Sequence, residues 1–271
     1  MQSTKYQTII ITGSASGIGA STRGTLEANG TRVIGIDLTD ADILADLSHS
    51  EERNRAISET IEMAEGVIDG IITSAGVGPP CDPKKMIDVN WLGTVELLKG
   101  FRETLASSEN TVRVVAVSSN SATITPNVPE DLIEACLTFD NERVEHILED
   151  FSGMAAMAVA YAASKTAVAR FVRQNAPTEE WAGSGIRLNA IAPGAVLTPL
   201  LQGGLDDKEF GDAIRTLPVP VGEFGSPDAI AKWIEIMMSD AADFMCGSVV
   251  FIDGGSDALI RPNDWPKSFS I

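Results

Sequence analysis

The chain has 271 residues, of which 44% are hydrophobic, and its formal net charge is −18. This length and hydrophobic content suit one α/β domain with a sizeable core, so we predict a single domain over residues 1–271. The negative charge argues against nucleic acids and anionic membrane surfaces as partners, because both attract basic patches. No apolar stretch is long enough to cross a bilayer.

Residues 1–6 lead directly into a predicted strand, without the pattern of a signal peptide. The cysteines are odd in number and lack metal-binding spacing; they are Cys81, Cys136 and Cys246. We predict reduced thiols in a cytoplasmic protein. Acidic residues lie near both histidines, His49 and His146, so we expect surface positions for them and no histidine-based catalytic or metal site.

Strands and helices are predicted to alternate along the chain. Short, β-branched apolar runs predict strands near residues 7–12, 31–36, 68–72, 112–117, 186–191 and 248–252. Alternation with helical patterns is typical of a doubly wound, Rossmann-like parallel sheet. Ligands bind beyond the carboxyl ends of the strands in such sheets.

A glycine-rich turn follows the first predicted strand. It contains Gly13, Gly17 and Gly19, and a helical stretch over residues 20–29 follows and closes at Gly30. Three glycines allow a tight bend and a close approach of the backbone to a pyrophosphate, whose charge a helix N-terminus favours. The spacing G-xxx-G-x-G differs from the common G-x-G-x-x-G fingerprint, and a turn of this kind also occurs without a ligand.

The second predicted strand is followed by Asp37, 18 residues beyond Gly19. A carboxylate at this place accepts hydrogen bonds from ribose hydroxyls and repels a 2′-phosphate. Leu38 and Thr39 supply no cation for that phosphate. The pattern therefore favours NAD over NADP, against the alternative of an ordinary solvated Asp at a strand end.

Tyr161 and Lys165 stand four residues apart, so on a helix they share one face. A free phenol titrates near pH ~10, and lowering its pKa to about 7 requires about 4 kcal/mol of preferential stabilisation of the phenolate. A fixed ammonium, helped by a cationic cofactor ring, is one source of that stabilisation. On spacing alone the pair is more typical of surface packing, and the cofactor turn earlier in the chain favours chemistry.

Together these features resemble the short-chain dehydrogenase/reductase family over nearly the whole chain. Residues 12–19 match its TGxxxGxG turn, and residues 73–76 resemble its NNAG element with Thr-Ser in place of Asn-Asn, whose hydroxyls we expect to cap strand ends. The resemblance implies a cofactor-binding set of Gly13, Ser16, Gly17, Ile18, Gly19, Asp37, Leu38, Asp46, Leu47, Ala75, Gly76, Tyr161, Lys165, Pro193, Gly194, Val196 and Thr198.

The resemblance also implies a catalytic set of Asn90, Ser119, Tyr161 and Lys165. Tyr161 would be the general acid/base, and Ser119, with Ser121 as the alternative, would bind the reacting oxygen. Lys165 would lower the pKa of the tyrosine and hold the nicotinamide ribose, while Asn90 would position a water between the lysine and solvent. Three residues separate Tyr161 from Lys165, whereas the enoyl reductases of this family usually have a longer gap.

Within the family the resemblance narrows to the hydroxysteroid dehydrogenase/carbonyl reductase branch, through residues 36–41, 45–48, 199–203 and 252–262 and a long segment before Tyr161. It implies an NAD-dependent oxidoreductase that interconverts a secondary alcohol and a ketone on a bulky apolar cyclic substrate, steroid-like or terpenoid-like. Smaller cyclic or aromatic ketones stay open as substrates, as does a non-catalytic NAD-binding sensor. The complete catalytic set argues against the sensor.

Two segments are predicted to shape the substrate pocket and the assembly. Residues 195–217 are typical of a substrate lid, and we expect Ser121, Leu200, Leu201 and Leu205 at the substrate, with core packing as the alternative for the leucines. Residues 125–152 predict a helical pair, opened by Pro129 and by Asp140 or Asn141.

Pro177 should bend or end the helix that bears Tyr161 and Lys165. Many relatives form tetramers through that helix, and the predicted helical pair would block this contact. We therefore expect a homodimer formed through the C-terminal region, and a homotetramer is the alternative assembly. For the helical pair itself, the alternative is an inert acidic insertion.

Overall fold

A computed structural model describes residues 7–264 of the chain; residues 1–6, on which the expectation about a signal peptide falls, lie outside the described residues. One seven-stranded parallel sheet occurs within this range, with strand order β3-β2-β1-β4-β5-β6-β7. The strands are β1 (Thr8–Thr12), β2 (Arg32–Asp37), β3 (Ile43–Leu44), β4 (Gly70–Thr73), β5 (Val112–Val117), β6 (Ile186–Pro193) and β7 (Val249–Ile252). The predicted doubly wound sheet is confirmed.

Helices join the strands and cover both faces of the sheet. They are α1 (Gly17–Ala28), α2 (Ser50–Met63), α3 (Pro83–Ile87), α4 (Gly93–Ala106), α5 (Ser121–Ile124), α6 (Glu130–Leu137), α7 (Asn141–Leu148), α8 (Gly153–Asn175), α9 (Pro199–Asp206), α10 (Phe210–Arg215), α11 (Pro227–Met237) and α12 (Ser256–Ile260). Single π-helical turns occur at Asp88–Leu92 and Glu179–Gly183. Among the helices of residues 7–264, none has both the length and the apolar character that a membrane crossing requires.

Alternate strand residues supply the cores on the two sides of the sheet. Ile10 of β1 belongs to one cluster of buried side chains, whereas Ile9 and Ile11 belong to the other. Successive side chains of a strand point to opposite faces, and both faces here are covered. This double burial explains why the strands appear in the sequence as continuous apolar runs.

The strand and helix boundaries differ from the predicted ones at a few points. All six predicted strands occur, but β6 runs on to Pro193 and α1 begins at Gly17 rather than at residue 20. No sequence pattern predicted β3, because only two of its residues pair with β2 at the edge of the sheet. A pairing this short carries no periodicity of its own.

The segment before the Tyr161 helix forms the predicted helical pair. Pro129 precedes α6, and Asp140 caps α7 by accepting a hydrogen bond from Arg143 N at 3.0 Å. Helix α6 packs on α8, and α7 packs on α6. Helix α8 ends just before Pro177, as expected where a proline cannot continue a helix. Glu130 of α6 forms an ion pair with Arg170 of α8, and Glu145 of α7 forms one with Lys84 of α3.

Candidate active site

A cleft of about 720 Å³ runs along the carboxyl ends of the central strands. The loops after β1, β4, β5 and β6 all contribute to it, as the parallel arrangement predicts. Twenty of the predicted site residues line it: Gly13, Ser16, Gly17, Ile18, Asp37, Leu38, Asp46, Leu47, Ala75, Gly76, Ser119, Ser121, Tyr161, Lys165, Pro193, Gly194, Val196, Thr198, Leu200 and Leu201. Gly19, Asn90 and Leu205 lie outside the lining.

The glycine turn after β1 has no room for side chains. Gly13 and Gly17 have φ values of +68° and +54°, in the left-handed region that favours glycine. A Cβ on Gly19 would lie 1.9 Å from Gly13 O, so the main chain of the turn packs directly on Gly19 and leaves no room for a side chain there. The resulting shallow cradle at the N-terminus of α1 fits a pyrophosphate, which needs close main-chain approach.

The carboxylate of Asp37 is oriented by the turn itself. Its Oδ2 accepts a hydrogen bond from Ala15 N at 2.9 Å and its Oδ1 accepts one from Leu38 N at 2.6 Å. The sequence reasoning missed Arg23, a cation beside this turn, whose guanidinium pairs with Asp42 at 3.1 Å. The guanidinium of Arg23 is therefore already paired with a carboxylate, and Asp37 adds a second negative charge that would repel a 2′-phosphate.

The loop after β3 is braced by a buried arginine. Arg53 is 3% exposed, donates a hydrogen bond to Leu47 O at 2.7 Å and pairs with Glu96. Asp46 in the same loop accepts hydrogen bonds from Ser48; burial acts to raise the pKa of Asp46, but these bonds hold it below its usual range. The sequence analysis did not predict the role of Arg53, because a single arginine in an amphipathic helix belongs to no recognisable motif.

Lys165 and Tyr161 project from α8 toward the ends of β5 and β4. Lys165 is 4% exposed, and its Nζ donates a hydrogen bond to Val117 O at 2.9 Å. Burial lowers the pKa of Lys165 to about 8. Burial also raises the pKa of Tyr161, while a hydrogen bond with Ser119 acts in the other direction. Desolvation of the phenol outweighs that hydrogen bond. The predicted lowering of the pKa includes the charge of a cofactor ring and stays a prediction.

Two serines follow β5, and their environments differ. Ser119 bonds to Tyr161, and its Oγ also accepts a hydrogen bond from Ser121 N at 3.1 Å. Ser121 Oγ is buried and has no hydrogen-bond partner among the described residues. The geometry favours Ser119 as the partner of the tyrosine, while both hydroxyls remain in the lining of the cleft.

Asn90 is fully buried in the π-helical turn before α4. Its Oδ1 accepts a hydrogen bond from Val77 N at 2.8 Å and its Nδ2 donates one to Val77 O at 2.9 Å. A Cβ on Gly76 would lie 3.2 Å from Asn90 Oδ1 and 3.5 Å from Lys165 Nζ. Asn90 therefore clamps the loop after β4 and faces the lysine across a glycine.

The polar contact at the end of β4 comes from β1. Thr12 Oγ1 accepts a hydrogen bond from Ala75 N at 3.0 Å. Thr73 Oγ1, in contrast, is buried and has no hydrogen-bond partner within the described residues. The expectation that this hydroxyl caps the strand end is therefore wrong, and Thr12 of the neighbouring strand makes the contact.

The other end of the cleft is apolar and lies under α9 and α10. Leu200 and Leu201 line it, but Leu205 does not, and its carbonyl accepts a hydrogen bond from Arg215 Nη2. A Cβ on Gly78 would lie 2.9 Å from Leu200 Cδ2 and 3.5 Å from Tyr161 Cε2. Further lining residues that no motif marked are Ile124, Pro126, Ala158, Phe210, Ile214, Leu217 and Ile260.

Comparison with known proteins identifies similar sequences along the whole chain. The short chain dehydrogenase model matches residues 7–128, and a model described as Enoyl-(Acyl carrier protein) reductase matches residues 149–257. The chain is 37% identical to the 3-alpha-hydroxysteroid dehydrogenase/carbonyl reductase of Comamonas testosteroni, over 95% of this chain and 99% of that protein. It is 29% identical to the Cis-4-hydroxycyclohexanecarboxylate dehydrogenase of Sinomonas cyclohexanicum, over 92% of this chain and 96% of that protein.

Solved structures of related dehydrogenases and reductases are also similar to this chain. The 3-alpha-hydroxysteroid dehydrogenase from Pseudomonas sp. B-0831, complexed with NADH, superposes with a TM-score of 0.89 at 40% sequence identity. The match covers 95% of this chain and 99% of that chain. Levodione Reductase superposes with a TM-score of 0.68 at 26% identity, over 93% of this chain and 98% of the other.

Proposed function

The chain belongs to the short-chain dehydrogenase/reductase family of oxidoreductases, and from that premise we propose that it interconverts a secondary alcohol and a ketone with NAD. The observation that carries this proposal is one continuous cleft. It joins the glycine turn at Gly13, the group of Ser119, Tyr161 and Lys165, and an apolar end at Leu200. A nucleotide, a proton donor and an apolar substrate would therefore meet in one cavity.

NAD is the proposed cofactor, and it would supply or accept the hydride. The tight turn at Gly13 and Gly17 would hold its pyrophosphate, and Asp37 would accept hydrogen bonds from the adenosine ribose. Asp46 and Leu47 would line the adenine site, while residues 193–198 would contact the carboxamide. The carboxylate of Asp37 favours NAD over NADP, and the related Pseudomonas enzyme is complexed with NADH.

Tyr161 would move the proton. In ketone reduction its Oη gives a proton to the carbonyl oxygen, and in alcohol oxidation it removes the proton from the hydroxyl. Ser119 donates a hydrogen bond to the same oxygen and stabilises the charge that develops there. Lys165, fixed on Val117 O, stabilises the phenolate by its charge. Asn90 would position a water between this lysine and solvent.

The proposed substrate is bulky, apolar and cyclic, steroid-like or terpenoid-like. Carbon atoms of Ile124, Leu200, Phe210 and Ile214 dominate the far end of the cleft, where the reacting ring would lie. A smaller cyclic substrate is the second candidate, because the Sinomonas relative is named for a hydroxycyclohexanecarboxylate. A non-catalytic NAD sensor remains the alternative from another class, and turnover separates it from both.

The test is NADH formation from NAD with a panel of steroid, terpenoid and small cyclic alcohols, beside Tyr161→Phe. We expect turnover with one class of alcohol and a turnover rate about 10²–10⁴-fold lower in the variant. The affinity for NADH should be the same in the wild type and the variant. Tight NADH binding without any turnover would support the sensor. Activity that survives in Tyr161→Phe would contradict the assignment of the proton donor.

We propose a homodimer as the assembly. In the acidic pair α6–α7, α6 lies against α8 and α7 lies against α6, an arrangement that would keep a second copy from packing on α8. A tetramer in light scattering would contradict this proposal. The cytoplasmic location predicted from the unpaired cysteines stays a prediction.

A further inference from the structure

The turn that follows β7, residues 253–261, here called the C-terminal turn, carries two carboxylates that bind the segment following Ser119. Asp253 Oδ2 accepts a hydrogen bond from Asn120 Nδ2 at 3.4 Å, and Asp257 Oδ1 accepts one from Thr123 Oγ1 at 2.5 Å. Thr123 Oγ1 also lies at hydrogen-bond distance, 3.0 Å, from Asn120 O, so two acceptors share this hydroxyl. Two side chains from the far end of the chain thus hold the segment that positions the catalytic serine.

Asp257 is itself held in place from two sides. Arg261 Nε donates a hydrogen bond to Asp257 Oδ1 at 2.6 Å, and Asp257 N donates one to Asp253 Oδ2 at 2.7 Å. The side chains of Asp257 and Arg261 are only 14% and 21% exposed. Limited exposure reduces the competition from water, so the carboxylate keeps one orientation toward Thr123.

The same short helix, α12, also contacts the end of the lid and the cleft. Ser256 Oγ donates a hydrogen bond to Pro218 O at 2.6 Å, directly after the predicted lid segment 195–217. Val221 N donates one to Gly254 O at 3.2 Å. Ile260 of α12 lines the cleft. The C-terminal turn therefore connects the segment following Ser119, the end of the predicted lid at Pro218 and the wall of the proposed substrate pocket.

We propose that Asp257, held by Arg261, is a positioning residue of the enzyme: through Thr123 it sets the place of the Ser119 segment relative to the lid. This inference rests on the proposed function, because Ser119 is assumed to bind the reacting oxygen. A misplacement of about 1 Å in a catalytic group lowers turnover by about 10²-fold. Loosening one hydrogen bond of this segment should produce a smaller loss.

Substitutions at Thr123 test the contact with little change in volume. Thr123→Val removes the hydroxyl and Thr123→Ser keeps it. We expect kcat to fall about tenfold in Thr123→Val and in Asp257→Asn, to recover in Thr123→Ser, and the Kd for NADH to change less than about twofold. Because the two side chains share a hydrogen bond, the loss in the double variant should be smaller than the product of the two single losses, although each also has a second partner, Asn120 O for Thr123 and Arg261 for Asp257.

Asp264→Asn is the matched control, since Asp264 is the 68% exposed outer partner of the same Arg261 at 3.9 Å. It should leave kcat unchanged. Hydrogen exchange, measured by mass spectrometry, should speed up at residues 119–124 and at residues 218–222 in Asp257→Asn, but not in Asp264→Asn.

Several results would overturn the inference. They are additive losses in the double variant, a Thr123→Ser enzyme as slow as Thr123→Val, and exchange that changes at only one of the two segments. Loss of NADH affinity in proportion to kcat would mean a general weakening of the fold instead. If the wild-type protein oxidises none of the alcohols, the proposed function fails, while the exchange measurement still decides whether Asp257 couples the two segments.

Discussion

The two ends of the cleft, the proposed nucleotide end and the proposed substrate end, differ in the atoms that line them. At the nucleotide end the main chain sets the distances: a Cβ on Gly13 would lie 2.7 Å from Ala75 N, and one on Gly19 would lie 1.9 Å from Gly13 O. At the substrate end the neighbours are side-chain tips, such as Leu200 Cδ2 beside Gly78. Main-chain atoms cannot yield without moving a strand end, whereas a leucine can change rotamer. We therefore expect the first end to tolerate almost no change and the second to adjust.

Gly19→Ala should give the largest effect, because its Cβ would overlap the main chain of the turn. We expect the Kd for NAD to rise more than about 100-fold, equivalent to about 3 kcal/mol, together with a lower melting temperature. Gly24→Ala, on the same helix, is the control, since a Cβ there meets nothing within 4 Å. Calorimetric titration with NAD checks both. Near-normal binding by Gly19→Ala would show that the main chain yields after all.

Lys165 lies where the two ends meet, and its burial predicts a dependence of stability on pH. Its pKa of about 8 lies below that of an unfolded lysine, about 10.4, so the fold disfavours the charged form. This cost is fully present below pH 8 and disappears as the pH rises toward about 10.4, adding about 3 kcal/mol to the free energy of unfolding.

Urea unfolding of the wild type and of Lys165→Met across this pH range measures the difference. The variant should lack the gain, and Lys232→Met, which changes an exposed lysine of α11, should keep it. Equal pH slopes in wild type and Lys165→Met would mean that the ammonium is solvated in the native protein.

Asp37→Asn should have an intermediate effect at the nucleotide end. An amide oxygen can still accept a hydrogen bond from Ala15 N, but the negative charge is lost. We expect the affinity for NAD to fall about tenfold, because hydrogen bonds to a charged group are stronger by about this amount, and the affinity for NADP to rise. Asp40→Asn, at an exposed site with φ of +50° that asparagine tolerates, is the control. If the ratio of the affinities for NAD and NADP were unchanged in Asp37→Asn, other residues would determine the cofactor preference.

Gly78→Ala should have the smallest effect and act on the substrate alone. The added methyl group would displace the tip of Leu200 toward the pocket. We expect kcat/KM to fall about threefold for a bulky cyclic alcohol, below the range for a rigid apolar pocket because Leu200 can move. A single-ring alcohol and NAD affinity should be unaffected. Gly203→Ala, with nothing within 4 Å of the added Cβ, is the control; equal losses for large and small alcohols would contradict this account.

The same contrast explains what the sequence could predict. The turn at Gly13, Asp37 and the Tyr161–Lys165 pair stand next to strand ends in short contiguous motifs, so their meeting follows from the parallel sheet. Ile260 and Phe210 come from segments whose contact depends on how the lid and the C-terminal turn fold, and no local pattern announces it. That burial raises the pKa of Tyr161 could not be predicted for a related reason, because the spacing of Tyr161 and Lys165 does not show how deeply the phenol is buried.

The proposed lid, residues 195–217, has a consequence for how such enzymes diversify. Leu200, Leu201, Phe210 and Ile214 all come from one uninterrupted stretch of chain, and β6 and its loop anchor the start of that stretch. A recombination event that exchanged this single piece between two related genes would carry a new substrate preference with it. The proposed proton donor on α8 and the proposed nucleotide turn after β1 would be inherited intact, so a new substrate preference could arise while the catalytic residues stay the same.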